Sequence, residues 1–406
     1  MANRVVVSGI GVVSPFGTSR QRFRDALLAG ESGVVPITAF DVSQCRTRVG
    51  ACVTRFDATE WIAPMKLRRM DDTARYAVVV TRQAYEDGSY AVGDAGDDAA
   101  GVMLGTYTAG GQATSEYLTA LHRGGPTGAP AMLFNSTVAN APASLAGLEF
   151  KLRGPNVTVS QKECSGLAAI VTATDALRVG RAKVLCAGGV DAIFDIFFRV
   201  HDRFRVMAAS AGPTPGPFDR RRDGFVLGEG GYALLLENEA SALGRGAKCY
   251  GEVLGVASVS TAVGINHWPE SSEPISRAMR AALADARVTP ADVGVVYASA
   301  NATSALDHVE AEALRTVFGS RSPLITSIKG ALGECGASGA ASCVAAVLCG
   351  VHGEVPPISG LTEPDPVVQG LNVVLTRQPP PNRIALINSV GSGGSICSVV
   401  LRIARN

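Results

Sequence analysis

Short runs of β-branched and apolar residues alternate along the chain with longer stretches of helical periodicity. Buried strands are predicted at residues 5–9, 101–105, 157–160, 182–188, 294–298, 384–388 and 398–403. Helices are predicted at residues 21–28, 70–85, 165–179, 308–318 and 337–349. Strands that alternate with helices of roughly ten to fifteen residues are typical of a mostly parallel, buried sheet with helices on both faces. The pattern therefore predicts an α/β fold.

Composition narrows the classes of function. The chain has 406 residues, with 37 basic and 36 acidic side chains and a net charge of +1. Near-neutrality argues against nucleic acid and a membrane surface as partners, because both are bound by clustered Lys and Arg. The apolar runs are shorter than the ~18 residues that a membrane-spanning helix needs.

We expect two halves, 1–245 and 246–406, joined in the small and polar stretch at residues 237–248.

The nine cysteines indicate a reducing compartment. They are scattered, form no CxxC pair and lie mostly in apolar surroundings, at Cys45, Cys52, Cys164, Cys186, Cys249, Cys335, Cys343, Cys349 and Cys397. The five histidines show no ligand spacing with them, so a metal site is not expected. Buried, reduced thiols are typical of a cytoplasmic protein, which is the location that we predict.

Several segments carry a resemblance to a known family. The longest is Pro217-Phe218-Asp219-Arg220-Arg221-Arg222-Asp223-Gly224-Phe225-Val226-Leu227-Gly228-Glu229-Gly230. The others are Gly154-Pro155 with Ser165-Gly166-Leu167, Asp307 with Glu310, Lys329-Gly330-Ala331-Leu332-Gly333, and Asn388-Ser389-Val390-Gly391-Ser392-Gly393-Gly394-Ser395. Together they resemble the ketosynthase branch of the thiolase superfamily over essentially the whole chain. The resemblance implies a thiolase-like fold, a duplicated five-layer αβαβα architecture with mostly parallel central sheets.

The chemistry implied by this resemblance is a decarboxylative Claisen condensation. A cysteine thiolate at a helix N-terminus attacks an acyl thioester, because the helix dipole lowers the pKa of the thiol. Two neutral histidines then donate hydrogen bonds to the thioester carbonyl as enolate charge develops. A lysine and a glutamate support that geometry. Each of these groups has a matching position in this sequence.

All three reactive side chains are absent from the matching positions. Glu163 stands at the cysteine, Ser299 at the first histidine and Glu334 at the second, whereas the supporting Lys329 and Glu310 are retained. A carboxylate is a poor nucleophile toward a thioester, and an ionised one accepts but cannot donate hydrogen bonds. We therefore predict that the chain has no catalytic residues of its own.

Two alternatives keep some chemistry in the chain. Cys164 lies one residue past the nucleophile position, and one helical step of about 100° turns its sulfur away from the substrate. Glu163 and Glu334 are expected to lie close together, either as a proton-handling pair or as groups that plug the old site, paired with Lys329 or Lys162. The sequence favours structural roles for both glutamates and a buried thiol at Cys164.

One class within this family has lost its nucleophile, namely the chain-length factors of type II polyketide synthases. The resemblance implies that this chain is such a β subunit. Its partners would be a catalytic ketosynthase α subunit, in a heterodimer, and an acyl carrier protein. No cofactor is expected, since phosphopantetheine would enter only as the arm of the carrier protein. That class usually has glutamine at the nucleophile position, so Glu163 is a departure.

The resemblance also assigns residues to an acyl tunnel and its gate. The tunnel positions are Gln112, Ser115 and Thr119 on a helix after Gly110-Gly111, with Leu133 across the channel. They are small or polar, which predicts an open tunnel. The gating loop is Val390, Gly391, Ser392 and Gly393, with Val390 and Ser392 where active ketosynthases carry phenylalanine. The Arg-rich stretch at 203–222 is either a surface for an acidic partner or a loop on the dimer side.

Three functions remain open at this point. The first is the non-catalytic chain-length factor. The second is a homodimeric acyl-binding scaffold without a ketosynthase partner. The third is a decarboxylase or hydrolase of acyl thioesters that uses Cys164 or the Glu163 and Glu334 pair.

Overall fold

The computed structural model describes residues 3–405, which form α-helices and β-strands in an alternating order. The strands are β1 (Val5–Val13), β2 (Val34–Pro36), β3 (Val49–Ala51), β4 (Ala100–Gly105), β5 (Asn156–Val159), β6 (Val184–Asp191), β7 (Gly230–Asn238), β8 (Gly251–Ser260), β9 (Val295–Tyr297), β10 (Leu324–Thr326), β11 (Asn372–Val373), β12 (Ile384–Val390) and β13 (Ser395–Ile403). The first helices are α1 (Arg20–Leu28), α2 (Pro64–Leu67), α3 (Asp72–Asp87), α4 (Gly111–Gly128), α5 (Ala131–Phe134), α6 (Ala141–Glu149) and α7 (Ser165–Arg178). The later helices are α8 (Asp195–Phe204), α9 (Glu239–Gly244), α10 (Glu273–Ala286), α11 (Ser304–Phe318), α12 (Lys329–Leu332) and α13 (Ser338–Val351).

The strand order repeats itself. The first half runs β5-β4-β6-β7-β1 and the second runs β10-β9-β12-β13-β8, with the small strand β11 outside β10. If the five strands of each half are numbered along the chain, both orders read 3-2-4-5-1. In both halves the fourth and fifth strands pair antiparallel, as do the fifth and first, and the other pairs are parallel. Four of the five strands in each half therefore point in one direction.

Two buried helices separate the halves. Helices α7 and α13 contact each other and strands of both halves, whereas α3 and α6 cover the outer face of the first half and α10 and α11 that of the second. The halves also join at one edge, where Val5–Val7 of β1 pairs with β8 and makes the sheet continuous. This is the thiolase-like arrangement of α, β, α, β and α layers that the sequence predicts.

Local sequence explains where the helices begin. Asp71 caps α3 by accepting a hydrogen bond from the Ala74 amide at 2.9 Å, as expected of the Asp71-Asp72 pair. The last strand of the first half, β7, ends at Asn238, and the first strand of the second half, β8, begins at Gly251. Within residues 3–405, no helix combines the length and the apolar character required to cross a bilayer.

Candidate functional site

A cleft of about 340 Å³ opens where the two halves meet, near the N-terminus of α7. Its lining comes from the turn before α7, the end of α8, the loop before α11 and the loop between β12 and β13, and it includes Lys162, Glu163, His201, Phe204, Arg205, Arg222, Phe225, Asn266, Trp268, Thr303, Ser304 and Ser392. Glu163 and Ser392 are both buried. Glu163, the residue at the nucleophile position, therefore lies in the wall of this cleft.

The turn before α7 presents Glu163 to the gating loop. The Glu163 carboxylate accepts hydrogen bonds from the Ser392 amide and the Ser392 hydroxyl, each at 2.9 Å. The expectation of a pair with Lys162 is wrong. The Lys162 backbone is left-handed, with φ of 50°, and its ammonium donates to Asn266 at 2.6 Å while lying 5.6 Å from the centre of the Tyr107 ring. Burial lowers the pKa of Lys162, and the Glu163 charge opposes this shift.

Cys164 is fully buried behind that turn. Its thiol donates to the carbonyl oxygens of Ser389 at 2.9 Å and Ser395 at 3.2 Å, which belong to the β12–β13 hairpin. Burial raises the pKa of Cys164 well above its usual range, so the group is a thiol at neutral pH. A nucleophile requires the opposite shift and access to solvent.

Glu334 lies in a buried polar cluster. Its Oε2 accepts hydrogen bonds from Lys329 Nζ and Asn301 Nδ2, both at 2.8 Å, so the predicted pair with Lys329 is confirmed. Its Oε1 is buried without a hydrogen-bond partner in the described residues. Burial raises the pKa of Glu334, Lys329 opposes that shift, and the nearby Glu163 charge adds to it. The two glutamates thus influence each other, but each has its own set of hydrogen-bond donors.

Ser299 and Glu310 lie deeper than the cleft. The Ser299 hydroxyl accepts from Lys329 Nζ at 3.1 Å and from the Val390 amide at 2.9 Å, and it is fully buried. Glu310 accepts from the Ser299 amide and from Asn388, and burial raises the pKa of Glu310. Ser299 therefore contacts both Lys329 and the start of the gating loop, and Glu310 fixes Ser299 and Asn388 beside them.

Sequence reasoning missed Asn301. This residue follows β9, its side chain contacts Glu334, and the next residue, Ala302, has a left-handed φ of 72°. The Asp307 carboxylate stabilises the turn by accepting hydrogen bonds from the backbone amides of Asn301 and Ala302. A polar side chain just after a buried strand was a possible signal, because binding groups gather at the carboxyl ends of parallel strands. Its contact with Glu334 depends on a different loop and could not be read from spacing.

The long arginine- and glycine-rich motif supports this turn. Asp307 Oδ2 accepts from the Phe218 amide at 2.7 Å and lies 3.0 Å from Nε of Arg222. Burial raises the pKa of Asp307 to about 7, although Arg222 and the amides oppose the shift. Further along the motif, the Gly228 amide donates to the Glu334 carbonyl oxygen at 2.9 Å. The motif thus fixes the two loops that carry Asn301 and Glu334.

The gating loop makes a tight turn against this cluster. Val390 is buried, the Gly391 amide donates to the Ser395 carbonyl at 2.7 Å, and the Gly393 amide donates to the His267 carbonyl at 2.9 Å. Gly393 and Gly394 have φ of 112° and 100°, which favour glycine. All four predicted loop residues are therefore ordered by contacts, and Ser392 is the one that reaches Glu163.

The predicted tunnel residues lie on a different face. Gln112, Ser115 and Thr119 are on α4, a helix interrupted at Gly125. Gln112 and Leu133 line a cleft of about 410 Å³ between α4, α5 and the segment around Met70, and Gln112 donates to Glu116 at 3.1 Å. Ser115 and Thr119 lie outside the lining of this cleft, and the Thr119 hydroxyl donates to the Ser115 carbonyl at 2.7 Å.

The described residues offer no metal site, since nowhere in 3–405 do three His, Cys, Asp or Glu side chains form a group that could hold an ion. Burial lowers the pKa of His201, the histidine that lines the cleft, and the Lys162 charge lowers it further. The cleft therefore combines a neutral imidazole with cationic Arg205 and Lys162, aromatic walls and the carboxylates of Glu163 and Asp223.

Two family models match the chain. The N-terminal domain model of β-ketoacyl synthases covers residues 2–242, and the C-terminal domain model covers residues 250–362. The chain belongs to the β-ketoacyl synthase family.

Relatives and solved structures of this family match nearly full length. The chain is 32% identical over 403 residues to 3-oxoacyl-[acyl-carrier-protein] synthase 2 of Synechocystis, covering 96% of each chain. It is 34% identical to the oxytetracycline polyketide putative beta-ketoacyl synthase 1 of Streptomyces rimosus, covering 90% of this chain and 89% of the other. A structure of the ishigamide ketosynthase/chain length factor matches with a TM-score of 0.92, 30% identity and full coverage of both chains. A chain from the structure of a type II polyketide synthase acyl-carrier protein in complex with its ketosynthase also matches, with a TM-score of 0.91, 25% identity and full coverage of both chains.

Proposed function

We propose that this chain is a non-catalytic chain-length factor. It pairs with an active β-ketoacyl synthase and shapes the tunnel in which that partner elongates a polyketide from malonyl units on an acyl carrier protein. The observation that carries the proposal is the occupied nucleophile position: Glu163 stands there with its carboxylate bonded to Ser392, and the neighbouring Cys164 is a buried thiol. A chain without a thioester nucleophile contributes to condensation through shape.

The hydrogen-bond donors of the reaction are missing as well. Catalysis by this family needs two donors aimed at the developing enolate oxygen. At the second donor position Glu334 presents carboxylate oxygens, and Lys329 Nζ is directed at the Ser299 carbonyl, 2.7 Å away, and at Glu334. This arrangement stabilises a buried ion pair and leaves no evident donor for a substrate. It favours a structural subunit over a decarboxylase that uses the two glutamates.

An exposed apolar face supports the pairing with another chain. Large apolar side chains are exposed on α4 and on the two helices that contact it, α5 and α8, at Leu118, Met132, Phe134, Ile196, Val200 and Phe204. Phe134 is 58% exposed and Leu118 is 54% exposed. β5 is the edge strand of the first half and pairs with β4 alone. An exposed apolar patch and an edge strand each favour a protein–protein interface.

The tunnel assignment links this face to chain length. Gln112 and Leu133 line one cleft, which borders the exposed side chain of Met132. If an acyl chain enters here from a partner, the residues of α4 limit its length by their size. Ser115 and Thr119 lie on the same helix outside this cleft, so they reach the acyl chain where the partner closes the tunnel over α4. On that basis we expect Ser115→Phe and Thr119→Phe to shift the product of the heterodimer toward shorter chains, with the total rate of malonyl consumption changed less than the product length.

The proposal is tested by reconstitution with a related ketosynthase that retains its cysteine and both histidines. The complex should have the mass of a heterodimer, and the mixture should elongate malonyl carrier protein, whereas this chain alone should release no carbon dioxide. Product lengths are measured by mass spectrometry for wild type, Thr119→Phe and, as a surface control, Thr316→Phe on α11. An unchanged product profile in Thr119→Phe would count against the tunnel.

Two outcomes would favour the other functions. Carbon dioxide release, or an acyl adduct, on the isolated chain would favour the thioester-cleaving enzyme. A stable homodimer that excludes every ketosynthase offered would favour the acyl-binding scaffold. Loss of elongation in a heterodimer whose assembly survives Glu163→Ala would mean that Glu163 takes part in the reaction.

A further inference from the structure

Three consecutive residues at the former nucleophile turn hold the surrounding loops. Lys162 donates to Asn266 at 2.6 Å, Glu163 accepts two hydrogen bonds from Ser392, and the Cys164 thiol donates to carbonyls at both ends of the β12–β13 turn. The Glu163 backbone carbonyl also accepts from the Ser389 hydroxyl at 3.1 Å. Every side chain of this short turn is engaged by a segment from the second half of the chain.

The held loops also contact each other. The Gly393 amide donates to His267, next to the Asn266 that Lys162 binds. The segments around residues 264–268 and 391–394 therefore form one connected edge of the cleft, fastened at two adjacent points. Because hydrogen bonds to a charged group are stronger than neutral ones, the contacts of Lys162 and Glu163 hold this edge more firmly than backbone contacts alone would.

We propose that residues 162–164 form a clasp that fixes the gating loop along one edge of this chain's own cleft. In the clasp, Glu163 and Ser392 are positioning residues: they fix the loop and bind no substrate. The turn at the nucleophile position thus has a role of its own, in which it fixes the loop that borders the cleft. This inference goes beyond the proposed function, because the clasp is a property of the single chain whether or not a ketosynthase partner binds it.

Cys164 provides a built-in reporter of the clasp. Its sulfur lies beneath the loop and is fully buried, so an alkylating reagent reaches it only when the hairpin turn moves away. Cys343 is equally buried, but it lies within α13, and Cys249 is exposed. The ratio of Cys164 to Cys343 alkylation therefore measures local opening of the loop, and Cys249 reports that the reagent is active.

The experiment follows N-ethylmaleimide labelling of the full chain by peptide mass spectrometry. We expect Glu163→Ala to raise the Cys164 to Cys343 ratio about tenfold or more, since a charge-assisted hydrogen bond is lost. Ser392→Ala, which retains the amide donor, should raise it less, and Glu163→Gln, which retains an acceptor, should restore most of the protection. Ser304→Ala is the matched control, because Ser304 lines the same cleft and makes no hydrogen bond to the loop.

The outcomes separate the clasp from general loosening. A ratio that stays within about twofold of wild type in both Glu163→Ala and Ser392→Ala overturns the proposal, and so does an equal rise in Ser304→Ala. Because the readout needs no partner and no turnover, it can fail while the chain-length assay succeeds, and the reverse also holds. The two proposals are therefore tested independently.

Discussion

Each half of the chain has a Glu-Cys pair before its central helix, two residues further from the helix in the second half, and the two glutamates are used differently. Glu163 and Cys164 precede α7, and Glu334 and Cys335 precede α13, with a Ser-Gly pair in the first turn of each helix. Glu334 is neutralised by Lys329 and bonded to Asn301, all within the second half. Glu163 has no lysine on its carboxylate and accepts from Ser392, a residue of the opposite half.

This difference shows how the same two residue types serve two purposes. Glu334 makes a buried ion pair within its own half, and Glu163 connects the two halves through a loop. The turns themselves touch, since the Gly166 amide donates to the Gly336 carbonyl at 2.7 Å. A change in either glutamate should therefore affect a different property, either global stability or local opening of the loop.

The largest expected effect is on global stability, from Lys329→Met. This change leaves the Glu334 carboxylate buried without its cation, and removal of one partner of a buried pair costs about 3–5 kcal/mol. Glu163→Ala leaves no buried charge behind, so it should cost only about 1–2 kcal/mol. Urea denaturation monitored by circular dichroism measures both free energies of unfolding.

A double variant serves as the control for that comparison. Lys329→Met with Glu334→Leu removes both charges, and apolar replacement of a buried pair is often close to neutral. We expect the double variant to recover most of the stability that Lys329→Met loses. If Lys329→Met cost no more than Glu163→Ala, the two glutamates would not differ in the way described above.

Most of the fold was predictable from the sequence because burial dictates its pattern. The apolar run before residue 188 corresponds to β6, where every residue is buried, and the Ala-rich stretch at 337–349 corresponds to α13, which packs on both halves. β8 was not predicted, because its residues alternate between buried and half-buried and include two glycines. The continuous edge between β1 and β8 depends on how the halves dock, which no local pattern encodes.

The residues of the site were predictable only where their position within a sequence motif identified them. Glu163, Glu334 and Lys329 follow from their places in motifs, and the pair between the last two is confirmed. The partner of Glu163 was not predictable, because Ser392 is 229 residues away and the choice between it and Lys162 depends on the left-handed turn at Lys162. Asn301 was missed for the same reason: its role depends on a loop brought close by folding.

A smaller effect is expected where the two central helices meet. A Cβ at Gly339 would lie 2.7 Å from the Leu167 Cβ, whereas a Cβ at Gly166 would meet its neighbours at 3.0 Å or more. Gly339→Ala should therefore cost about 1–3 kcal/mol through overpacking. Gly166→Ala should be closer to neutral, because the gain in helix propensity, about 1 kcal/mol, offsets the tight contact.

The matched control for these two variants is Gly244→Ala at the end of α9, where nothing lies within 4 Å of the added methyl group. Thermal and urea unfolding of the three variants should rank Gly339→Ala as the least stable. Equal stabilities would mean that the two helices tolerate side chains alike, and the repeat would then be symmetric at this contact.

The smallest expected effect is a change in the pH dependence of stability on replacing Glu334. Its folded-state pKa is raised above the usual 4.5 mainly by burial, so the folded chain binds this proton more tightly than the unfolded chain. The resulting stabilisation is fully present below pH 4.5 and is lost as the pH rises through the raised value. Burial likewise raises the pKa of Asp307 and Glu229, each to about 7, so these two groups also make the wild-type protein lose stability as the pH rises toward 7. Glu334→Gln in the Lys329→Met background should make that decline in stability shallower than in Lys329→Met alone. The free energy of unfolding, measured between pH 4 and 8, tests this.

Parallel curves of unfolding free energy against pH for the two proteins would mean that Glu334 does not titrate differently in the folded and unfolded states. Its burial would then be fully compensated by Asn301 and the surrounding dipoles.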